Sequence, residues 1–161
     1  MKILIISDTH KSHGSLMDAV ALEKPFDMVI HLGDAEGRED EIEAIVEAPM
    51  HIVGGNNDFF SHLPAEKEFF IEGHHFFITH GHSYFVSRNE ERLVQEAKGR
   101  GADIVMYGHI HRPVIKKDKD ILVINPGSIA YPRQQDRRPS YAIMTINPEG
   151  EVSVEIKYLE N

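Results

Sequence analysis

Eleven histidines in a chain that has no cysteine raise the question of a metal, because imidazole is the commonest metal ligand. Several fall in short runs with other oxygen and nitrogen donors: Asp8-x-His10, Gly33-Asp34, Gly55-Asn56-x-Asp58, His80-Gly81-His82 and Gly108-His109-x-His111. Each run alone has a plainer reading. An aspartate there can cap a helix, residues 54–58 can be a strand-ending turn, and a histidine of either His-x-His pair can be buried and bonded to backbone. Without cysteine, a disulfide framework, a thiolate zinc site and a cysteine nucleophile are all excluded.

The elements that would carry these donors show in the hydrophobic pattern. Lys2 to Ile6 is a mostly β-branched run, as in a strand buried on both faces. Leu16, Ala19, Val20 and Leu22 predict a helix over 14–23, stopped by Pro25. Residues 27–32 repeat the strand pattern, 38–47 predict a second helix, and a third strand ends at Gly54-Gly55. This β-α-β-α-β opening predicts a parallel sheet with right-handed crossovers. Beyond Asn56, residues 67–71 and 75–79 read as a hairpin, 88–100 as a helix and 103–107 as a strand. The rest reads as antiparallel strands over 113–116, 120–124, 141–146 and 152–158. Two sheets packed face to face with helices outside would use every element. In this arrangement Asp8, His10, Asp34, Asn56, His80, His109 and His111 all follow strand C-termini, where α/β folds place their sites.

Jointly and in this order, the five runs resemble the calcineurin-like metallophosphoesterase superfamily, over nearly the whole chain. Within it, Asn125-Pro-Gly-Ser-Ile-Ala-Tyr-Pro-Arg133 is similar to a stretch of the small single-domain bacterial and archaeal phosphodiesterases. The resemblance implies an α/β fold, a two-sheet sandwich flanked by helices. It also implies two divalent ions, with Asp34 bridging both. Asp8, His10 and His111 would complete one ion, while Asn56, His80 and His109 would complete the other. Carboxylate, amide and imidazole donors suit Mn, Fe, Zn or Ni, with manganese the first expectation, and the lack of thiolates disfavours a closed structural zinc site. Two such ions lower the pKa of a shared water to near 7 and hold the oxygens of an in-line displacement. The implied nucleophile is therefore a metal-bridging hydroxide attacking a phosphodiester directly, with Asp34 and Asn56 at the reacting centre.

One position departs from the family. Where many members have histidine after Gly-Asn, this chain has Asn57, which can donate a hydrogen bond but cannot act as a general acid. Substrates with poor leaving groups should be handicapped. His13 and His82 are candidate substitute acids, His82 the better because it lies two residues from His80, with support of a ligand or phosphate binding as the alternative role for His82. Asn57 and Arg133 are assigned to substrate, although Arg133 could instead bond a carbonyl of its own loop. Arg112 reads as a surface residue, His31 and His51 as core histidines, and His62, His74 and His75 as loop or hairpin residues.

Composition narrows the partners. The 161 residues and 41% hydrophobic content suit a single domain, 1–161, with its own core. Only 23 residues separate Asn56 from His80 and 28 separate His80 from His109, which leaves no room for a cap domain over the site. A net charge of -9 argues against extended nucleic-acid binding. No apolar run is long enough to cross a bilayer and no leader is evident, so the expectation is a cytoplasmic protein acting on a small phosphate ester, with homo-oligomerisation left open. The rival reading is a protein-binding scaffold like the related eukaryotic retromer subunit. That protein lacks part of the ligand set, whereas all seven positions are filled here.

Overall fold

A computed structural model describes residues 1–160. The elements run β1 (Lys2–Ile6), α1 (Gly14–Glu23), β2 (Met28–His31), α2 (Glu39–Val46), β3 (Met50–Ile52), β4 (Glu66–Ile71), β5 (His74–Thr79), α3 (Glu91–Gly99), β6 (Ile104–Met106), β7 (Pro113–Asp118), β8 (Ile121–Pro126), β9 (Ser140–Ile146) and β10 (Val152–Tyr158). They form two five-stranded sheets, ordered β10-β9-β1-β2-β3 and β4-β5-β6-β8-β7.

The alternation of side chains along each strand makes three apolar layers. Ile3 and Ile5 of β1 point between the sheets, where they join Ile30, Phe76, Ile78, Ile104, Met106, Ile124 and Met144. Their neighbours Leu4 and Ile6 point the other way and pack on Leu16, Ala19 and Val20 of α1 and on Ile42 and Val46 of α2. On the far side, Phe77 of β5 and Val105 of β6 receive Leu93, Val94 and Ala97 of α3. A strand sandwiched between two layers has no polar face, which is why β1 reads as a continuous apolar run.

The expected two-sheet sandwich with outer helices is present. The second sheet differs from the antiparallel arrangement expected after Asn56: β4–β5 and β7–β8 are antiparallel hairpins, but β5–β6 and β6–β8 are parallel. Helix α3 supplies the crossover that a parallel β5–β6 pair requires. It begins at Glu91 rather than at 88, and the segment before it holds a 3-10 turn over His82–Tyr84. Strand β3 ends at Ile52, short of the two glycines. The parallel strands matter for function, since β1, β2, β5 and β6 discharge their loops together.

Candidate metal centre

The loops after β1, β2, β5 and β6 are stitched edge to edge by backbone bonds. Asp8 N–H donates to Gly33 O at 3.0 Å, His10 N–H to Asp34 O at 2.8 Å, and Gly108 N–H to His80 O at 3.0 Å. Five of the seven sequence-assigned donors stand in the left-handed region: Asp8, His10, Asp34, His109 and His111, with φ of 56°, 49°, 63°, 70° and 56°. Such backbone costs about 1–3 kcal/mol per residue and persists only where the surroundings enforce it. Close approach is enforced as well. A Cβ on Gly55 would strike the Asp34 carboxylate, and one on Gly108 would strike the Ser7 hydroxyl and come within 2.9 Å of Asp8 Oδ2.

At the centre, Asp8 is fully buried. Its Oδ2 accepts from Ser7 Oγ at 2.6 Å and from the His109 backbone N–H at 3.1 Å. Its Oδ1 is left without a hydrogen bond, 3.2 Å from His111 Nε2 and 3.7 Å from His80 Nε2. His80 Nδ1 donates to Leu32 O at 2.7 Å and His111 Nδ1 to Tyr131 O at 2.6 Å. Each ring therefore turns its ε nitrogen on the carboxylates, the orientation that backbone carbonyls commonly impose on ligating histidines. His80 Nε2, also buried and without a hydrogen bond, lies 3.5 Å from Asp34 Oδ2. Asp8, His10 and His111 thus form one close donor group and Asp8, Asp34 and His80 a second.

The electrostatics call for positive charge here. Burial pushes the Asp8 carboxyl up, but His111, His80 and Ser7 outweigh it and hold the pKa below the usual carboxylate range. For Asp34 burial again acts upward and is overcome by His80 and by the Asn57 N–H groups, leaving it well below that range. At His80 the effect of burial is outweighed by Asp34, Asp8 and the Leu32 carbonyl, which draw its pKa up. Orphaned buried donor atoms amid ionised carboxylates and imidazoles fit divalent ions.

Asp8 belongs to both close groups, and Asp34 joins the one with His80; Asp34 is held on its own side of the site by bonds to Asn57 and Asp58. Asn57 does not face open space. Its backbone N–H donates to Asp34 Oδ1 and its side-chain amide to Asp34 Oδ2, both at 2.9 Å.

Around the close groups, Asn56 Oδ1 accepts from His109 Nδ1 at 3.1 Å at the exposed rim. The His109 ring lies 5.1 Å, centroid to centroid, from that of His80. The His82 ring lies behind, tilted by 57° and 5.5 Å from the His80 ring. Burial, then His80, lower its pKa. His13 faces Glu41 at 3.3 Å. Arg133 donates its backbone N–H to His111 O at 2.9 Å, while its exposed guanidinium bonds no carbonyl among the described residues. His31 is a buried core histidine, bonded to Thr9 Oγ1 and to the Gly33 N–H.

Sequence reasoning missed the residues that brace this centre. Asp58 accepts the N–H groups of Asp34, Glu36 and Gly55 at 2.8, 2.7 and 2.6 Å. Asn125 donates to Gly108 O at 3.0 Å and Ser128 to Asp8 O at 2.9 Å. Their signal was visible: Asp58 lies in the Gly55-Asn56-x-Asp58 run, and Asn125 and Ser128 open the late Asn-Pro-Gly-Ser stretch.

Residues 1–149 match the family model of the calcineurin-like phosphoesterase superfamily domain. The chain belongs to this family. It is 34% identical over 149 residues to a probable metallophosphoesterase, YsnB, of Bacillus subtilis, covering 91% of this chain and 85% of that protein. It is 33% identical over 145 residues to the phosphodiesterase MJ0936 of Methanocaldococcus jannaschii, covering 79% and 83%. Among solved structures it resembles Vps29 of Entamoeba histolytica complexed with zinc, with a TM-score of 0.77, 23% identity and coverage of 98% and 99%, a likeness of fold alone.

Proposed function

We propose that this metallophosphoesterase-family chain is a cytoplasmic phosphodiesterase, acting on small phosphodiesters with two divalent ions, manganese first among them. The observation that carries the reading is the pair of buried, unbonded atoms Asp8 Oδ1 and His80 Nε2, 3.7 Å apart among further carboxylate and imidazole donors. Asp8, His10 and His111 would hold one ion, and Asp34, His80, Asn56 and His109 the other, with Asp8 as well as Asp34 reaching between them. When bound, such ions supply a water of lowered pKa as nucleophile and neutralise charge on the phosphoryl oxygens.

The chain's own part is orientation. Leu32 and Tyr131 carbonyls fix the two histidine tautomers, and Asn57 holds both oxygens of Asp34. Asn57, bonded to Asp34, cannot act as an acid for the leaving group, which favours esters whose leaving oxygen is already acidic. The phosphodiesterase name of the 33% identical relative supports the diester over the monoester.

Hydrolysis of bis(p-nitrophenyl) phosphate by protein stripped with chelator and reloaded with Mn, Ni, Zn or Fe tests the reading. Turnover is expected only after reloading. Full activity in protein shown metal-free by elemental analysis would overturn it. Metal binding without any phosphoester turnover would favour the scaffold reading instead.

A further inference from the structure

Beside the metal centre lies a cleft of about 240 Å³ lined by Val86, Ser87, Ile110, Arg112 and Arg133. Three chain segments build it, and each is also a wall of the centre. Ile110 stands between His109 and His111. Arg133 is tied by its backbone to His111 O. Val86 packs beneath Gly81, where a Cβ would meet its methyl at 2.9 Å, in the turn between His80 and His82.

The charge of the cleft is unusual for this protein. The chain carries a net -9, and three of its other six arginines have carboxylate partners: Arg38 pairs with Glu41, Arg100 with Glu66, Glu68 and Glu96, and Arg138 with Glu160. Arg112 and Arg133 line one cleft with no carboxylate among its lining residues, and among the described residues neither guanidinium has an ion pair or hydrogen bond. The Ser87 hydroxyl beside them likewise has no hydrogen bond among the described residues. Two guanidiniums and a hydroxyl form a donor-rich surface, and the planar fork of arginine matches phosphate oxygens in pairs. A cleft of this volume is below the size of most small-molecule sites and suits one anionic group rather than a whole ligand.

We infer that Arg112, Arg133 and Ser87 form a subsite for a second phosphate group of the substrate, so that the preferred substrate is a phosphodiester that also bears a terminal phosphate. The inference rests on the phosphodiesterase reading for its reacting end and on the cleft for the other. It makes Arg112 and Arg133 specificity residues and gives Arg133 the remote phosphate rather than the reacting one.

The test uses two substrates that differ only in the remote group: thymidine 5′-(p-nitrophenyl phosphate), and the same compound phosphorylated at its 3′ oxygen. The metal-loaded protein should prefer the phosphorylated diester at least tenfold in kcat/KM. Arg112→Gln and Arg133→Gln should each bring that ratio about tenfold closer to one, mainly through KM, as expected for loss of one charge-assisted contact. A wild-type ratio near one, or variants that slow both substrates by the same factor, would overturn the subsite.

A second measurement does not need turnover. Arginine-specific labelling by phenylglyoxal, read by peptide mass spectrometry, should be slowed at Arg112 and Arg133 by thymidine 3′-phosphate and unchanged at Arg88 and Arg137, which lie outside the cleft. Equal labelling with and without the nucleotide would refute the subsite. If neither diester is cleaved, the phosphodiesterase reading falls, and the labelling still decides the anion site.

Discussion

The Ser128 hydroxyl donates to the Asp8 carbonyl oxygen at 2.9 Å, joining residues 120 positions apart. Ser128 Oγ in turn accepts the N–H groups of Ala130 at 3.1 Å and Tyr131 at 2.7 Å, and the Tyr131 carbonyl holds the His111 ring. One buried hydroxyl therefore braces two donors from opposite ends of the chain. Ser128→Ala should destabilise the fold by about 1–3 kcal/mol, because buried polar groups lose their partner. It should also lower metal affinity about 10- to 100-fold by releasing the support of the ligands. Urea unfolding and competitive metal titration, with exposed Ser83→Ala as control, check this. Unchanged metal affinity in folded Ser128→Ala would refute the bracing role.

Glycine placement gives a sharper contrast. At Gly108 an added methyl collides with Ser7 Oγ and the Asp8 carboxylate, whereas at Gly99, in the last turn of α3, it meets nothing within 4 Å. Gly108→Ala should abolish high-affinity metal binding. Gly99→Ala should leave it intact and add about 0.4–1 kcal/mol of stability by restricting the unfolded chain. Elemental analysis of both purified variants decides; full metal content in Gly108→Ala would show that the loop yields.

Hydrophobic pattern and donor order made the two-sheet sandwich legible, together with the loops that bear Asp8, Asp34, Asn56, His80 and His109. The parallel pairing of β5, β6 and β8 was not, because β5 and β6 are buried on both faces and such runs carry no mark of strand direction. The sharing of Asp8 by both close groups and the turn of Asn57 onto Asp34 depend on left-handed backbone at non-glycine residues, which no residue type announces. The roles of Asp58 and Ser128 lay in visible motifs, but their partners are 24 and 120 residues away.

Two histidines should shape the pH dependence of stability with opposite signs. Burial pushes the His31 pKa from 6.5 down to about 4, so below 6.5 the unfolded chain binds the extra proton. Stability should fall by roughly 3 kcal/mol from this group as pH drops from 6.5 to 4. His74 is the reverse case. Its ring donates to the Gly150 carbonyl at 2.7 Å and to Asp103 at 2.6 Å, and these bonds raise its pKa above 6.5. Its contribution is full below 6.5 and is lost as pH rises through the folded value. Urea midpoints from pH 4 to 9 in chelator should show a flattened acid limb in His31→Gln and a flattened alkaline limb in His74→Gln. The opposite pairing of limb and variant would refute both assignments.

Asn57 is the position where sequence and structure assign different chemistry, and its variants separate them. Facing a leaving group, a histidine there would add an acid, and Asn57→His would speed alkyl esters more than nitrophenyl esters. In the structure the Asn57 backbone N–H and side-chain amide each donate to Asp34, so the side chain positions a candidate ligand. On that geometry Asn57→His should slow a nitrophenyl diester and an alkyl ester by a similar factor, together with a loss of metal affinity of about 10- to 100-fold. Asn57→Asp should be worse despite its equal size, since it sets a carboxylate against Asp34 Oδ2 where an N–H stood. Its repulsion should show as metal content below that of Asn57→Ala. The readout is metal stoichiometry and the ratio of the two ester rates in each folded variant. A raised alkyl-ester rate in Asn57→His with metal affinity intact would return Asn57 to the leaving group and end the positioning account.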